Sequence, residues 1–431
     1  MVDGDDGRIR QLIDQANQAL GSGRPLDAER LVRQAETEAP NHPLVLNEVG
    51  KRLLQARNPQ GAAEVLQKAA QDEPGSAVIW LNLAIALRAL ERTEDERLAV
   101  GKALALEPSN FLALMQAASL HELLGDQRVA AATYRMALQL IPRGLPLHMR
   151  PALDRATACI SANDRALEAH LDGYLKDVRA KHADQKQGRF DRAVDTLLQK
   201  RKVYRPAPTF LYVPQLPAIE FYDRDEFPWL DQIEAATDDI RAELIDVLAD
   251  GPATLEPYVS VQGMPGPQWR ELNNSRRWGV FFLWKAGEAV LANQARCPRT
   301  TAALSSWPKC DLKGTAPTAT FSILDAKTKI PPHVGVNNAR LICHLPLIVP
   351  PGCGFRVGAE TREWEPGKAF VFDDTIEHEA WNNSDEPRAV LIFDIWNPHI
   401  SPAERELVSA LTVGVGEFYG DLPNYIAGSP N

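Results

Sequence analysis

Pro332-His333-Val334-Gly335 begins the segment that decides how the C-terminal half of the chain folds, and Glu377-His378-Glu379 lies near its end. Arg388 follows His378 by ten residues and opens an apolar run. Around these residues, runs rich in β-branched and aromatic side chains alternate with glycine, proline and aspartate turns, which is typical of short strands. The predicted strands are Thr318–Leu324, Arg340–Val349 (broken at Pro346), Gly354–Val357, Thr361–Trp364, Ala369–Phe372, His378–Trp381 and Ala389–Trp396. This pattern predicts a double-stranded β-helix, a jelly-roll or cupin-like barrel.

The two histidines of this segment are candidate metal ligands and candidate catalytic residues. Neutral imidazole suits first-row divalent metals, and the common non-haem iron site adds one carboxylate to two histidines. That carboxylate usually stands two residues after the first histidine, where this chain has Gly335. A buried Arg388 needs a partner, and its planar fork suits the distal carboxylate of 2-oxoglutarate. The alternative for Arg388 is a salt bridge with Glu386 at the barrel rim.

One strand of the predicted barrel carries polar side chains on alternate positions. Arg340, Ile342 and His344 share one face of it, because strand side chains alternate. That row faces either the barrel lumen, as an anion site, or water. The opposite face is predicted to be core and carries Leu341, Cys343 and Leu345.

The N-terminal part of the chain repeats with a period of 34 residues. The residues that recur are Pro40, Pro74, Pro108 and Pro142, together with Ala35, Ala69, Ala103 and Ala137. Small residues allow the two helices of a hairpin to approach closely, and each proline ends a helix. This pattern resembles tetratricopeptide repeats, and we predict four of them at about 9–40, 43–74, 77–108 and 111–142. Such arrays hold peptides on a concave surface, and the alternative role is a scaffold or a dimerisation element.

The period and the change in composition predict three parts. Residues 1–145 form the repeat array, 146–205 a helical cap and linker, and 206–431 the barrel domain with flanking helices, among them Ile233–Leu248 and Glu288–Ser306, the latter interrupted at Pro298. The chain is therefore expected to be multidomain, an all-α solenoid followed by a double-stranded β-helix.

Composition restricts the partners and the compartment. A net charge of −10 over 431 residues argues against nucleic acid and anionic membranes as partners. The acidic N-terminus lacks the apolar core of a signal peptide, and no run reaches the length of a membrane helix. Five cysteines without a CxxC pair favour free thiols and a cytoplasmic location, with a Cys297–Cys310 bridge as the alternative.

From about Phe210 to Pro398 the chain resembles the aspartyl/asparaginyl β-hydroxylase family, whose animal members also carry tetratricopeptide repeats. The matching pieces are Pro332-His333-Val334-Gly335, Asn338, Arg340-Leu341, His344, Gly367-Lys368, Phe372-Asp373-Asp374, Glu377-His378-Glu379-Ala380-Trp381, Arg388 and Asp394-Ile395-Trp396-Asn397-Pro398. The resemblance covers about half of the chain.

The resemblance implies a non-haem Fe(II)- and 2-oxoglutarate-dependent dioxygenase that uses O₂ to hydroxylate a C–H bond. It implies that His333 and His378 bind iron without a carboxylate, in agreement with Gly335. Ser322 and Arg388 would hold the distal carboxylate of 2-oxoglutarate. His344 would line the cofactor or substrate carboxylate, with Arg340 beside it. The implied substrate is an Asp- or Asn-like residue, at its β-carbon, in a peptide or protein presented by the repeats.

One residue departs from the family pattern. The family commonly has a second arginine where this chain has Ile342. Its loss removes a charge-assisted fork for a carboxylate, which predicts a substrate different from that of the animal enzymes unless Arg340 compensates. Two other functions remain open: a non-catalytic peptide-binding repeat protein with a degenerate cupin domain, and a halogenase with a halide at the missing ligand position.

Overall fold

Antiparallel helix pairs follow one another along the first part of the chain. The computed structural model describes residues 2–260, 266–312 and 314–419. The paired helices are α1 Val2–Gly21, α2 Pro25–Glu38, α3 Pro43–Gln55, α4 Pro59–Asp72, α5 Ala77–Ala89, α6 Thr93–Leu106, α7 Phe111–Leu123 and α8 Gln127–Leu138. They confirm the predicted solenoid of tetratricopeptide repeats.

Small residues at the predicted positions allow the helices of each repeat to pack closely. Ala35, Ala69, Ala103 and Ala137 are all completely buried. A Cβ at Gly50 would lie 2.4 Å from Leu66 Cγ, so α3 and α4 approach more closely than an alanine would allow. The next helix, α9 Arg150–Lys181, packs against α8 through Ala156.

The third repeat holds a buried charge where the other repeats have alanine. Glu96 is 1% exposed and corresponds to Ala28, Ala62 and Ala130. An ion pair of 2.9 Å to Arg88 Nε and a hydrogen bond of 2.8 Å from Gln116 satisfy its carboxylate. The position therefore departs from the small-residue pattern without leaving an unpaired charge in the core.

The chain divides into the units Met1–Gln187 and Gly188–Asn431. The described part of the second unit contains α10 Gly188–Leu197, α11 Leu230–Ala235, α12 Thr237–Ala249, α13 Leu291–Arg296, α14 Pro298–Ala303 and α15 Pro402–Tyr419. The predicted boundaries at 145 and 205 stay predictions. No helix in the described ranges combines the length and the apolar character needed to cross a bilayer. All five cysteines are buried and free, so Cys297 and Cys310 are not bridged.

Two antiparallel sheets form the barrel of the second unit, which confirms the predicted cupin-like class. The larger sheet has the order β1-β2-β4-β11-β6-β9, with β3 paired to β2, and the smaller sheet has the order β5-β10-β7-β8. The strands are β1 Glu256–Pro257, β2 Trp278–Lys285, β3 Glu288–Ala289, β4 Ala319–Leu324, β5 Thr328–His333, β6 Arg340–Ile348, β7 Cys353–Val357, β8 Glu360–Arg362, β9 Phe370–Phe372, β10 His378–Asn382 and β11 Arg388–Trp396.

The alternation of β6 separates the core of this unit from its cavity. Leu341, Cys343 and Leu345 pack in a cluster with residues of α11 and α12, including Ile233 and Leu244. Arg340, Ile342 and His344 face a cavity between the sheets. This polar row therefore faces the barrel lumen and not the surrounding water.

Several elements differ from the sequence prediction. The helix predicted at Ile233–Leu248 is two helices, α11 and α12, separated at Ala236. The helix predicted from Glu288 begins as β3, and its predicted interruption at Pro298 is present between α13 and α14. The strand predicted to break at Pro346 continues to Ile348, with an irregular register between Ala389 and Val390 of β11.

The largest omission in the predicted strands is β5, which carries His333. Its sequence contains two adjacent prolines, Pro331 and Pro332, which argue against a strand. It is the edge strand of the smaller sheet, where residues without an amide hydrogen are tolerated. This strand places His333 beside β10 and thereby builds one wall of the cavity.

Candidate active site

A cavity of about 380 Å³ lies between the two sheets. This volume is in the range of small-molecule and cofactor sites. All six residues singled out from the sequence line it: Ser322, His333, Arg340, His344, His378 and Arg388. The antiparallel topology brings together positions up to 66 residues apart, the separation of Ser322 and Arg388.

The two candidate metal ligands face each other across adjacent strands. His333 ends β5 and His378 begins β10, and their Cα atoms are register partners. The centroids of their rings lie 4.0 Å apart. His333 Nδ1 lies 2.8 Å from the carbonyl of Pro331, and His378 Nδ1 lies 3.1 Å from that of Ile376. These carbonyls fix the proton on Nδ1, which leaves the Nε2 lone pair of each ring for a metal.

The protonation of both rings also fits metal binding. Burial lowers the pKa of His333 to about 4 and the pKa of His378 well below its usual value. A neutral imidazole keeps its lone pair, which a protonated ring loses. Both residues therefore present the form that a first-row divalent metal binds.

The space beside Gly335, the position of the usual carboxylate ligand, is filled by the side chain of Asp374. A Cβ at Gly335 would lie 2.2 Å from Cγ of Asp374. The Gly335 amide donates to the Asp374 carbonyl at 2.6 Å, which holds the two segments together. Among the described residues, no third His, Cys, Asp or Glu joins His333 and His378 in a metal-binding group. A metal held here would have two protein ligands.

Arg388 provides a buried cation on the cavity wall. It is 1% exposed, and its Nε and Nη1 atoms have no hydrogen-bond partner among the described residues. Its guanidinium carbon lies 4.4 Å from the centroid of the Trp364 ring. Burial without a carboxylate partner lowers the pKa of Arg388 to about 9. The rim salt bridge to Glu386 is not formed, and the Nε and Nη1 donors could serve an anion in the cavity.

Ser322 and His344 complete the part of the cavity near Arg388. Ser322 accepts a hydrogen bond of 3.0 Å from Trp278 Nε1, which leaves its own hydroxyl hydrogen free to donate. The buried Nδ1 of His344 has no partner among the described residues. Burial and the nearby Arg388 hold the pKa of His344 well below its usual value. A hydroxyl, a neutral imidazole and a guanidinium together match the needs of a bound carboxylate.

Arg340 is already paired with two carboxylates. Its Nη1 donates to Asp394 Oδ2 at 3.1 Å, and its Nη2 lies 3.5 Å from Asp374 Oδ2. Burial raises the pKa of Asp394 to about 7 and also raises the pKa of Asp374. Two carboxyl groups of the protein therefore lie against Arg340, whereas position 342, where the family commonly has a second arginine, carries no charge.

The acids around His378 have other partners than its ring. Glu377 and Glu379 pair with Arg356, and Asp373 accepts a hydrogen bond from Thr375. The Nδ1 of His378 contacts the backbone carbonyl of Ile376, and no described hydrogen bond joins its ring to a carboxylate.

Trp278 and its neighbour Arg277 lie differently with respect to the cavity. Trp278 lines it, whereas Arg277 is exposed and donates to the carbonyl of Lys327. Asp394 and Tyr258 also line the cavity, although the sequence pattern does not predict them as site residues. Asp394 lies on β11 opposite Ile342 of β6, and this register could have revealed its position.

Comparisons with known proteins agree with this architecture. Residues 234–398 match the family model for aspartyl/asparaginyl beta-hydroxylase, and residues 53–95 match a model for the tetratricopeptide repeat. An ornithine lipid ester-linked acyl 2-hydroxylase from Rhizobium tropici is 37% identical over 185 residues, 42% of this chain and 62% of that protein. The aspartyl/asparaginyl beta-hydroxylase of Homo sapiens is 33% identical over 156 residues, 35% of this chain and 20% of that protein.

A solved thermophilic tetratricopeptide-repeat protein from Thermus thermophilus is similar at 22% identity and a TM-score of 0.30, over 41% of this chain and 97% of that protein. The chain spans less than two thirds of the length of the two curated relatives named above. Both of these relatives are hydroxylases, one named for a lipid acyl group and one for amino-acid residues.

Proposed function

Because residues 234–398 belong to the aspartyl/asparaginyl β-hydroxylase family, we propose that this protein is an Fe(II)- and 2-oxoglutarate-dependent dioxygenase that hydroxylates a C–H bond. The observation that carries the proposal is the pairing of two features in one cavity. Two neutral imidazoles, each with its Nδ1 at a backbone carbonyl, line the cavity. The buried guanidinium of Arg388 lines the same cavity, and its Nε and Nη1 atoms have no partner among the described residues.

The residues present fit the metal. His333 and His378 would hold Fe(II), because imidazole nitrogen suits this ion and each ring has its tautomer fixed by a backbone carbonyl. When bound, iron and 2-oxoglutarate supply the oxidation: one oxygen atom of O₂ enters the C–H bond, the other enters succinate, and CO₂ is released. The protein contributes the position of the reactants and a water-poor cavity.

The residues present also fit the 2-oxoacid. Arg388 and Ser322 would hold its distal carboxylate, with His344 beside it. The Nε and Nη1 atoms of Arg388, which have no hydrogen-bond partner among the described residues, leave N–H donors that a carboxylate can accept. Trp278 orients the Ser322 oxygen, and the Trp364 ring supports the guanidinium, so both groups are in place before the ligand arrives. Arg340 would act on the substrate side, together with the acids that pair with it.

The same geometry bears on the alternative functions. The set of two imidazoles, Ser322 and Arg388 is complete, which weighs against a degenerate cupin without activity. The Asp374 carboxyl already fills the space beside Gly335, which disfavours a halide there because interiors are closely packed. Hydroxylation is the function that these residues support best.

For the substrate, we propose an Asp- or Asn-like residue of a peptide or protein, hydroxylated at its β-carbon. The repeat array would present it, since the chain carries a tetratricopeptide array whose fold is used to hold peptides. We also propose a cytoplasmic location, for which the five free cysteines are the support.

The direct test is turnover of 2-oxoglutarate. Protein loaded anaerobically with Fe(II) and 2-oxoglutarate is exposed to O₂, and succinate is measured. We expect succinate from the wild type, no more than background from His378→Ala, and wild-type amounts from His399→Ala, whose histidine is exposed and outside the cavity lining. Absence of succinate from an iron-loaded wild type would contradict the proposal.

A further inference from the structure

The helix α15 carries an apolar stripe on its exposed side. Leu407, Leu411 and Phe418 are 69%, 49% and 80% exposed. Their spacing of i, i+4 and i+11 places them on one face of a helix. The opposite face is anchored, because Val408 and Thr412 are buried and Val408 packs in a cluster with residues of β11. The helix is therefore held in a fixed orientation while its apolar stripe faces water.

Small residues lie between the large ones on the same stripe. Ala403, Ala410 and Gly414 are all exposed. A glycine inside a helix is less favourable than an alanine, yet a Cβ at Gly414 would meet no atom of the described chain within 4 Å. Packing within the chain therefore does not explain this glycine. A neighbour that approaches the helix backbone closely would explain it.

The large and small residues match each other when two copies of α15 lie antiparallel. A two-fold interface is isologous, so each residue of one copy meets its counterpart on the other and the reverse contact also forms. One register, with the axis between residues 410 and 411, sets a large residue opposite a small one in every layer. Its three layers are Leu407 with Gly414, Leu411 with Ala410, and Phe418 with Ala403. The stripe is thus complementary in shape to itself.

We infer that α15 forms an interface between two copies of this chain, paired antiparallel about this axis. A parallel pair in register would set Leu407 against Leu407 and Gly414 against Gly414, which alternates crowding with gaps. The stripe covers about 24 Å of helix, so we expect a weak dimer with a dissociation constant of about 10–100 µM. This inference goes beyond the proposed function and does not rest on it.

The charges of α15 favour a second copy over a membrane surface. Residues 407–416 contain no charged side chain, so the stripe can pack against an identical stripe without burying a charge. Helices that lie on membranes carry Lys and Arg beside their apolar face, whereas Glu406 and Glu417 border this one. These glutamates share one edge of the helix, and Glu406 of one copy would lie near Glu417 of the other. Their repulsion is small because both are exposed.

Analytical ultracentrifugation of the full-length protein between about 1 and 300 µM tests the inference. We expect a reversible monomer–dimer equilibrium for the wild type and at least about tenfold weaker association for Leu411→Glu. Leu291→Glu is the matched control, because Leu291 is 74% exposed on α13 of the same unit, and it should keep the wild-type equilibrium. A wild type that stays monomeric at the highest concentration, or a dimer that Leu411→Glu leaves unchanged, would overturn the inference.

Three further variants test the antiparallel register. Gly414→Leu places a large side chain opposite Leu407 of the second copy and should weaken association at least about tenfold. Adding Leu407→Ala removes that clash, so the double variant should recover most of the wild-type affinity. Glu417→Lys replaces repulsion by attraction to Glu406 of the second copy and should tighten association about threefold. In a parallel pair, Gly414→Leu would instead fill a gap and strengthen association, which would refute the proposed register.

Vesicle binding separates a second copy from a membrane as the partner of the stripe. The wild type and Leu411→Glu are sedimented with vesicles of phosphatidylcholine and phosphatidylglycerol, and we expect neither protein to sediment with them. Vesicle binding that is lost in Leu411→Glu, by a wild type that remains monomeric, would assign the stripe to a membrane and overturn the inference. Thermal melting followed by circular dichroism should give wild-type curves for the dilute variants, because every substituted side chain is exposed.

Discussion

Asp374 fills the space that a side chain at position 335 would need, with its Cγ atom 2.2 Å from where a Cβ of Gly335 would stand. The backbone of Gly335 also donates to the carbonyl of Asp374. The absence of a carboxylate at position 335 is thus required by the packing. The glycine makes room for the carboxyl group of Asp374, which lies against Arg340. The two-histidine site and the ion pair between Asp374 and Arg340 depend on the same close contact.

We predict that Gly335→Ala disturbs both sites. A methyl group at this position must displace Asp374, and overpacking of a buried site costs about 1–3 kcal/mol of unfolding free energy. We expect a lower melting temperature and weaker Fe(II) binding. The control is calorimetry of Gly335→Ala in the Asp374→Ala background. The smaller side chain at position 374 should remove the clash and most of the loss in melting temperature and Fe(II) affinity. An unchanged melting temperature in the single variant would contradict the contact.

We predict that Arg388→Met stabilises the ligand-free protein but prevents the binding of 2-oxoglutarate. Without a ligand, the buried guanidinium has no hydrogen-bond partner at Nε and Nη1 among the described residues. An apolar side chain of similar length should therefore raise the unfolding free energy of the ligand-free protein by about 1–3 kcal/mol. The same change should abolish the rise in melting temperature that 2-oxoglutarate causes in the iron-loaded wild type. Arg388→Lys, which keeps the charge without the fork, should bind 2-oxoglutarate weakly. A destabilised Arg388→Met protein that still binds 2-oxoglutarate would refute this assignment.

The sequence predicted the repeats well because their signal is local. The 34-residue period follows from helix packing within each hairpin, and the completely buried alanines of α2, α4, α6 and α8 stand where the period puts them. It also predicted most strands of the barrel. It missed β5 because Pro331 and Pro332 argue against a strand, and only the tertiary structure reveals that β5 is an edge strand.

For the site, the sequence indicated which residues meet but not how they are paired. His333, His378, Ser322 and Arg388 were singled out from spacing and resemblance, and all four line one cavity. The state of Arg340 could not be predicted, because its partners Asp374 and Asp394 lie 34 and 54 positions away and approach it only through the barrel. Such long-range charge pairs have no local sequence signal.

We predict that removing Arg88 from the ion pair in the third repeat destabilises the protein more than removing Glu96. Arg88→Met leaves the Glu96 carboxylate buried without its cation, which costs about 3–5 kcal/mol. Glu96→Ala restores the small residue of the other repeats and should cost less, since Arg88 is 31% exposed and can turn to water. The double variant should resemble Glu96→Ala. Hydrogen exchange of α5 to α7 measures these effects, and equal losses in both single variants would contradict the account.

We predict that the repeat array contributes to recognition of a protein substrate. Val78 and Leu112 are about half exposed and occupy the same position in successive repeats, 34 residues apart. Replacing both with glutamate should lower kcat/KM for a protein substrate at least about tenfold, because charged side chains disfavour an apolar contact. Succinate formation without substrate should not change. Replacing both with alanine is the milder control, and an unaltered kcat/KM in the glutamate variant would remove these positions from recognition.

The stoichiometry of Fe(II) binding under anaerobic conditions is the sharpest test of the proposed two-histidine metal site. The account predicts one Fe(II) per chain in the wild type and in His399→Ala, and no specific Fe(II) in His333→Ala or His378→Ala, because two imidazoles are the protein ligands. A wild-type protein that binds no Fe(II), or a His378→Ala protein that binds it as tightly as the wild type, would contradict the account.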